Sequence, residues 1–131
     1  MPKHVLWLIV SVSSTFVSFL GRSTVKDFGS TLLPLLIRAL GQSAAAPDAV
    51  GVWLFGSALT IASPHDIDLL YIYRQGVQAA KRAIVFRTAV TTLIMERLGM
   101  DVDVILLSAS EAEELDFIRL ENAVPLWPPP G

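Results

Sequence analysis

The sequence predicts a layered α/β domain, and three observations carry that expectation. Apolar runs of strand length recur at Val50 to Phe55, Asp66 to Tyr73 and Val102 to Leu107. Segments with helical spacing separate and flank these runs. Turns bearing glycine or proline punctuate the boundaries. The resulting order, α-β-turn-β-α-β-α, is that of a small sheet with helices packed on it. At 131 residues the chain has room for one domain with a real core, and its 53% hydrophobic content excludes a disordered protein.

Each element has its own local signals. Ser30 or Thr31 is placed to cap a helix whose body, LLPLLIRAL, runs to Leu40. Pro34 then falls in the first turn, and Gly41 stands where helices end in the left-handed conformation. GQSAAAPDA reads as a loop. Val50 to Phe55 has the composition of a buried strand and closes on Gly56-Ser57, from which a turn or short helix leads to Pro64. The second strand, DIDLLYIY, is rich in Ile, Leu and Tyr. Residues 77–98 suit a helix with Val77, Ala80, Ile84, Thr88 and Met95 roughly on one face and Gly99 at its end. After the third strand, Ser110 and Glu113 form an S-x-x-E capping box for a helix reaching about Asn122. The tail, PLWPPPG, is expected to run as polyproline.

Residues 5–20, VLWLIVSVSSTFVSFL, are apolar but shorter than the ~20 residues that cross a bilayer. Three readings stay open for them: a packed element, a membrane or export segment behind Lys3 and His4, or a poorly ordered leader. The expected organisation is an apolar N-terminal segment at 1–28 and a catalytic-type domain at 29–131. Cytoplasmic localisation is expected, with membrane association through residues 5–20 left open.

Charge and composition narrow the chemistry. A formal charge of −2 and the lack of any strongly basic stretch argue against a protein gripping a long nucleic acid. Having no cysteine excludes disulfides, thiolate nucleophiles and cysteine metal sites. His4 and His65 match no zinc spacing. Hard cations on carboxylates remain.

Three aspartates occur where burial should forbid them. Side chains alternate along a strand, so Asp66 and Asp68 of D-I-D-L-L project to one face. At a rise of ~3.3 Å per residue their Cα atoms stand about 6.6 Å apart, close enough to share one cation or two adjacent ones. Asp103 repeats the anomaly inside V-D-V-I-L-L, where an ionised carboxylate is costly unless paired or metal-bound. Asp101 shares its face and is the rival third carboxylate. It sits at the strand start beside a loop, where an unbound aspartate is cheap, so Asp103 is preferred. A single aspartate at a strand start is ordinarily a turn residue. A D-x-D pair with a further strand aspartate is harder to dismiss. Gly56-Ser57, directly after an apolar strand, adds a turn whose backbone can approach a phosphate closely.

These residues resemble the DNA polymerase β-type nucleotidyltransferase superfamily, particularly its minimal single-domain members. LFGSALTIASPHDIDLLYIY (residues 54–73) is similar to that family's Gly-Ser, spacer, D-x-D signature, and VDVILLS (102–108) to the strand carrying its third carboxylate. SASEAEELDFIRLENAVPLW is similar to the closing helix of small members. The resemblance spans about residues 30–127. Two departures stand out: an eight-residue spacer, short for the family, and the lack of the Arg-Gly often found after Gly-Ser. The resemblance implies a single-domain nucleotidyltransferase fold, a small mixed β-sheet flanked by helices. It implies Gly56 and Ser57 on the triphosphate of an NTP, and Asp66, Asp68 and Asp103 as catalytic ligands of Mg²⁺, with two ions. It also implies transfer of an NMP, AMP first, to a hydroxyl acceptor. A small helical protein partner in toxin–antitoxin fashion, or a homo-oligomer, is expected to supply acceptor or specificity. The alternative is a non-catalytic, antitoxin-like nucleotide-binding module of the same fold. His65 and the helix charges Lys81, Arg82 and Arg87 are read as solvated, with Lys81 or Arg87 the ones in reach of a nucleotide.

Overall fold

The computed structural model describes residues 24–59 and 66–130, with side chains from Phe28 onward except that of Ser57. Residues 5–20 and His65 lie outside the described residues. Helix α1 spans Thr24–Ser43, strand β1 Ala49–Phe55, β2 Asp66–Tyr73, helix α2 Val77–Leu98, β3 Asp101–Ser108, helices α3 Ala109–Leu115 and α4 Phe117–Leu120, and β4 Val124–Trp127. The four strands form one mixed sheet in the order β3-β2-β1-β4, with β1 antiparallel to both β2 and β4 and β2 parallel to β3. The expected mixed α/β sheet flanked by helices is therefore what the chain forms. No helix among the described residues is long and apolar enough to cross a membrane.

Alternation along the strands sorts the core into two layers. Val52, Leu54, Ile67, Leu69 and Tyr71 face α1 and α2, which cover that side with Leu32, Leu36, Phe86, Val90 and Ile94. Phe55, Leu70, Ile72 and Leu107 face the other way and are capped by Ala112 and Phe117 of α3–α4. The Phe55 and Phe117 rings meet edge to face at 5.0 Å. Six consecutive residues of β2, Ile67 to Ile72, are buried, because this central strand has a layer on each side and a neighbour on each edge.

Helix α1 starts earlier and ends later than its sequence signals suggest. Phe28 packs on the core, so the apolar stripe Phe28, Leu32, Leu35, Leu36, Ala39 and Leu40 begins two residues ahead of Ser30. Pro34 consequently lies inside a 20-residue helix, on its exposed side. Gly41 is not the terminator. Ala44 takes the left-handed conformation at φ 55, with Ala45 N–H donating to Leu40 O (3.0 Å) and Ala44 N–H to Gly41 O (3.2 Å). Burial of Ala45 against Leu40 completes this Schellman arrangement and offsets the cost of a left-handed alanine, about 1 kcal/mol.

Three further expectations are corrected. Helix α2 has the expected bounds and a left-handed Gly99, but it buries Ala79, Ala83, Phe86, Val90, Leu93 and Ile94, while Val77, Ile84 and Met95 are exposed. The helix carries apolar residues on more than one face, so periodicity alone did not choose the buried one. The capping box is Ser108/Glu111, not Ser110/Glu113. Ser108 Oγ accepts from Glu111 N–H (3.2 Å), and Glu111 Oε1 accepts from Ser108 N–H (2.9 Å), which holds the Glu111 carboxyl below its usual range. The segment SASEAEE contains S-x-x-E in two overlapping registers, and the end of β3 selects the first. Finally, Val124 to Trp127 is a strand rather than polyproline. It lies on the sheet edge, where Pro125 removes no ladder donor that a further strand among the described residues needs, and its Leu126 reaches Gly29 of α1 so closely that a Cβ there would stand 3.2 Å away.

Tyr71 is the odd group in the larger core layer. Its ring stacks on Phe86 at 4.5 Å, yet its buried hydroxyl has no hydrogen-bond partner among the described residues. Burial first, and the nearby Asp48 carboxylate second, push its pKa from 10.0 up to about 12. Since the folded value is the higher, the contribution to stability is whole below pH 10 and is lost as pH rises through about 12. Tyr71→Phe should therefore keep neutral-pH stability within about 1 kcal/mol and fall less steeply above pH 10 in urea unfolding. Parallel alkaline decline of the two proteins would contradict the assignment.

Candidate functional site

Site geometry begins with the pairing of β2 and β3. These strands run parallel in one unbroken register that sets Asp66 opposite Asp101 and Asp68 opposite Asp103. Paired residues in a ladder share a face, and neighbouring strands lie about 4.8 Å apart. The two D-x-D segments thus place four carboxylates on two adjacent rungs. They occupy the face that Leu70, Ile72, Ile105 and Leu107 continue under α3 and α4. The carboxylates lie at the N-terminal ends of both strands, before that apolar stretch begins.

The four do not have equal surroundings. Asp68, on the central strand, is only 3% exposed, whereas Asp66 is half-buried and Asp101 and Asp103 are exposed. Of the two candidates for third carboxylate, Asp103 is the one beside the buried Asp68. Asp101 stands beside Asp66, a placement that the strand-start argument gave no reason to expect. An ionised carboxylate in the position of Asp68 calls for a compensating cation or donors. Like charges on neighbouring rungs add repulsion that a cation would relieve. Among the described residues, no group of three acidic or histidine side chains is gathered as a ready-made metal cage. An all-oxygen set of one or two carboxylates nevertheless fits Mg²⁺, which fills its remaining positions with phosphate oxygens and water.

Gly56 closes the site from β1. It follows Phe55, whose ladder partner is Asp68, and begins the short 3₁₀ turn Gly56–Leu59. Its φ of +80 suits glycine, and a Cβ here would strike the Asp68 carboxylate, with Cγ at 3.1 Å. The glycine is therefore required by the aspartate's proximity as well as by the turn. Ser57 has its backbone in the same turn. The helix charges are divided in their roles. Arg82 is engaged by Asp48 at 2.7 Å, a partly exposed pair worth about 0–1 kcal/mol. Arg87 instead lines a cleft with Asp103 at the outer edge of β3. Sequence spacing could not show that juxtaposition, because it depends on α2 returning alongside β3.

No protein-family model matches the chain, and no curated protein matches it. Among solved structures it is similar to a Sulfolobus solfataricus protein provisionally described as a nucleotidyltransferase, at 19% identity and a TM-score of 0.47, over 79% of this chain and 86% of that one. A likeness of this depth decides nothing about chemistry, which has to be argued from the residues of this chain.

Gly56→Ala should cost roughly 1–3 kcal/mol, from the left-handed φ and the displaced carboxylate. Gly41→Ala, on an exposed helical position with nothing within 4 Å of its Cβ, should be neutral or stabilising. Urea unfolding of the two variants checks the contrast, and equal stabilities would show that Gly56 is not packed against Asp68.

Proposed function

We propose that this protein is a Mg²⁺-dependent nucleotidyltransferase that moves AMP from ATP to a hydroxyl acceptor. The carrying observation is the in-register pairing of two D-x-D strands, with the buried Asp68 facing a glycine turn. Asp66, Asp68 and Asp103 would hold two ions together with the nucleotide. Mg²⁺ bound there supplies neutralisation of the triphosphate charge and stabilises both the entering and the leaving oxygen. The backbone N–H groups of the Gly56-Ser57 turn would donate to the triphosphate. The acceptor oxygen bonds to the α-phosphorus while the bond from that phosphorus to its bridging oxygen breaks. Pyrophosphate departs with the electron pair. The hydroxyl proton passes to an Asp103 carboxylate oxygen and on to solvent.

A second reading, a nucleotide-binding module without turnover, is favoured by one observation: the carboxylates are not already gathered into a cage among the described residues. A partner role is compatible with either reading, and the exposed apolar residues Val77, Ile84 and Val85 on α2 give a partner something to cover.

The test is Mg²⁺-dependent release of pyrophosphate from ATP, offered ribose 5-phosphate, a short oligoribonucleotide and a tyrosine-bearing peptide in turn as acceptors. With the accepted compound, Asp68→Asn should lose on the order of 10²-fold or more in rate. ATP binding with no turnover by the wild type would favour the second reading. Equal rates for the wild type and Asp68→Asn would remove the carboxylate mechanism.

A further inference from the structure

The outer edge of β3 carries a cleft of about 390 Å³ that meets the candidate metal site at Asp103. One wall is a stripe of α2, formed by Arg87, Thr88, Thr91 and Thr92, residues that helical spacing brings to one side. The other wall is residues 102–104 of β3. No further strand among the described residues pairs with that edge. Arg87 forms no ion pair among the described residues, unlike Arg82 and Arg119. Thr88 Oγ1 donates to Ile84 O at 3.4 Å, the ordinary back-bond of a helical threonine, so its hydrogen is committed and Thr91 and Thr92 are the hydroxyl donors of the cleft.

The chemistry of this lining is unusual in its balance. One guanidinium and the Thr91 and Thr92 hydroxyls supply donors, while Asp103, whose side chain alternates away from Val102 and Val104, marks the rim toward the candidate catalytic face. Donors of this kind match a phosphate group, for which arginine is the preferred partner. An apolar ligand would find only the two valines. A peptide strand could pair with the edge but would leave the guanidinium without a complementary anion. The four acidic residues on the adjacent rungs repel an anionic ligand, so a fixed cation has to receive it, and Arg87 in the lining is that cation.

We infer that this cleft holds the acceptor, and that the acceptor carries a phosphate on the same molecule as its reacting hydroxyl. Arg87, Thr91 and Thr92 bind the phosphate at the edge of β3, and the hydroxyl end extends round that edge toward Asp103. The role assigned to Asp103 rests on the proposed transferase reading; binding in the cleft does not. Two sources share this chemistry, a free sugar phosphate and the end of an oligonucleotide.

The experiment follows threonine and valine methyl resonances by NMR while titrating the full chain with ribose 5-phosphate, a ribotrinucleotide or ribose as a neutral control. Saturable shifts confined to Thr88, Thr91, Thr92, Val102 and Val104 are expected with a phosphate-bearing probe and not with ribose. Shifts from ribose 5-phosphate identify the small-molecule source, and shifts from the trinucleotide alone identify the polynucleotide one. Arg87→Gln should weaken the binding about tenfold or more while the other methyl resonances stay in place, showing an intact fold. Thr91→Val, a near-isosteric change, should weaken it less. No shift with either phosphate probe, or undiminished binding by Arg87→Gln, overturns the inference even if Asp68-dependent transfer is found. Specific shifts in a protein with no transferase activity would leave the cleft standing and remove the transfer step.

Discussion

The parallel pairing of β2 with β3 is the constraint on which the rest depends. Two strands running side by side in the same direction need a crossover, which α2 provides, and that helix shares with α1 the covering of its side of the sheet. The unbroken register then leaves little freedom: once Leu69 faces Val104 and Leu70 faces Ile105, Asp68 must stand beside Asp103 and Asp66 beside Asp101. A slip of one residue would turn the apolar sets of β3 to the wrong layers. The same hydrophobic pattern that builds the core therefore juxtaposes the charges.

That juxtaposition is unfavourable for folding taken alone. A carboxylate 3% exposed on a central strand, next to further carboxylates, is the kind of local conflict that functional sites retain and the remainder of a fold compensates. Compensation here comes from β2, whose neighbouring residues are buried from Ile67 through Ile72 in two separate apolar layers. Gly56 completes the arrangement by giving up a side chain where the Asp68 carboxylate needs the space.

Much of the fold was readable in the chain because its strands are short, apolar and bounded by clear turns. Asp66 to Tyr73 and residues 77–98 lie where the pattern places them, and alternation correctly sends Asp66 and Asp68 to one face. What escaped was decided by tertiary contacts. Ser108 rather than Ser110 caps α3 because β3 runs on to Ser108 before the chain turns. The tail is a strand because β1 offers a free edge and Leu126 finds Gly29. The buried face of α2 was misjudged since Ala79 and Ala83 are weaker apolar signals than Val77 and Ile84, yet small residues let the helix approach the sheet. At the site, the D-x-D segments were visible singly. Their rung-by-rung pairing and the place of Asp101 opposite Asp66 belong to the register, which no local spacing encodes.

If the adjacent carboxylates form a divalent-cation site, Mg²⁺ must bind the folded chain better than the unfolded one and raise its stability by mass action. Thermal unfolding measured across a Mg²⁺ titration at constant ionic strength tests this directly. The account predicts a saturable rise in Tm for the wild type that Asp68→Asn loses. A flat response in the wild type, with or without ATP present, would show that the paired aspartates do not make a metal centre.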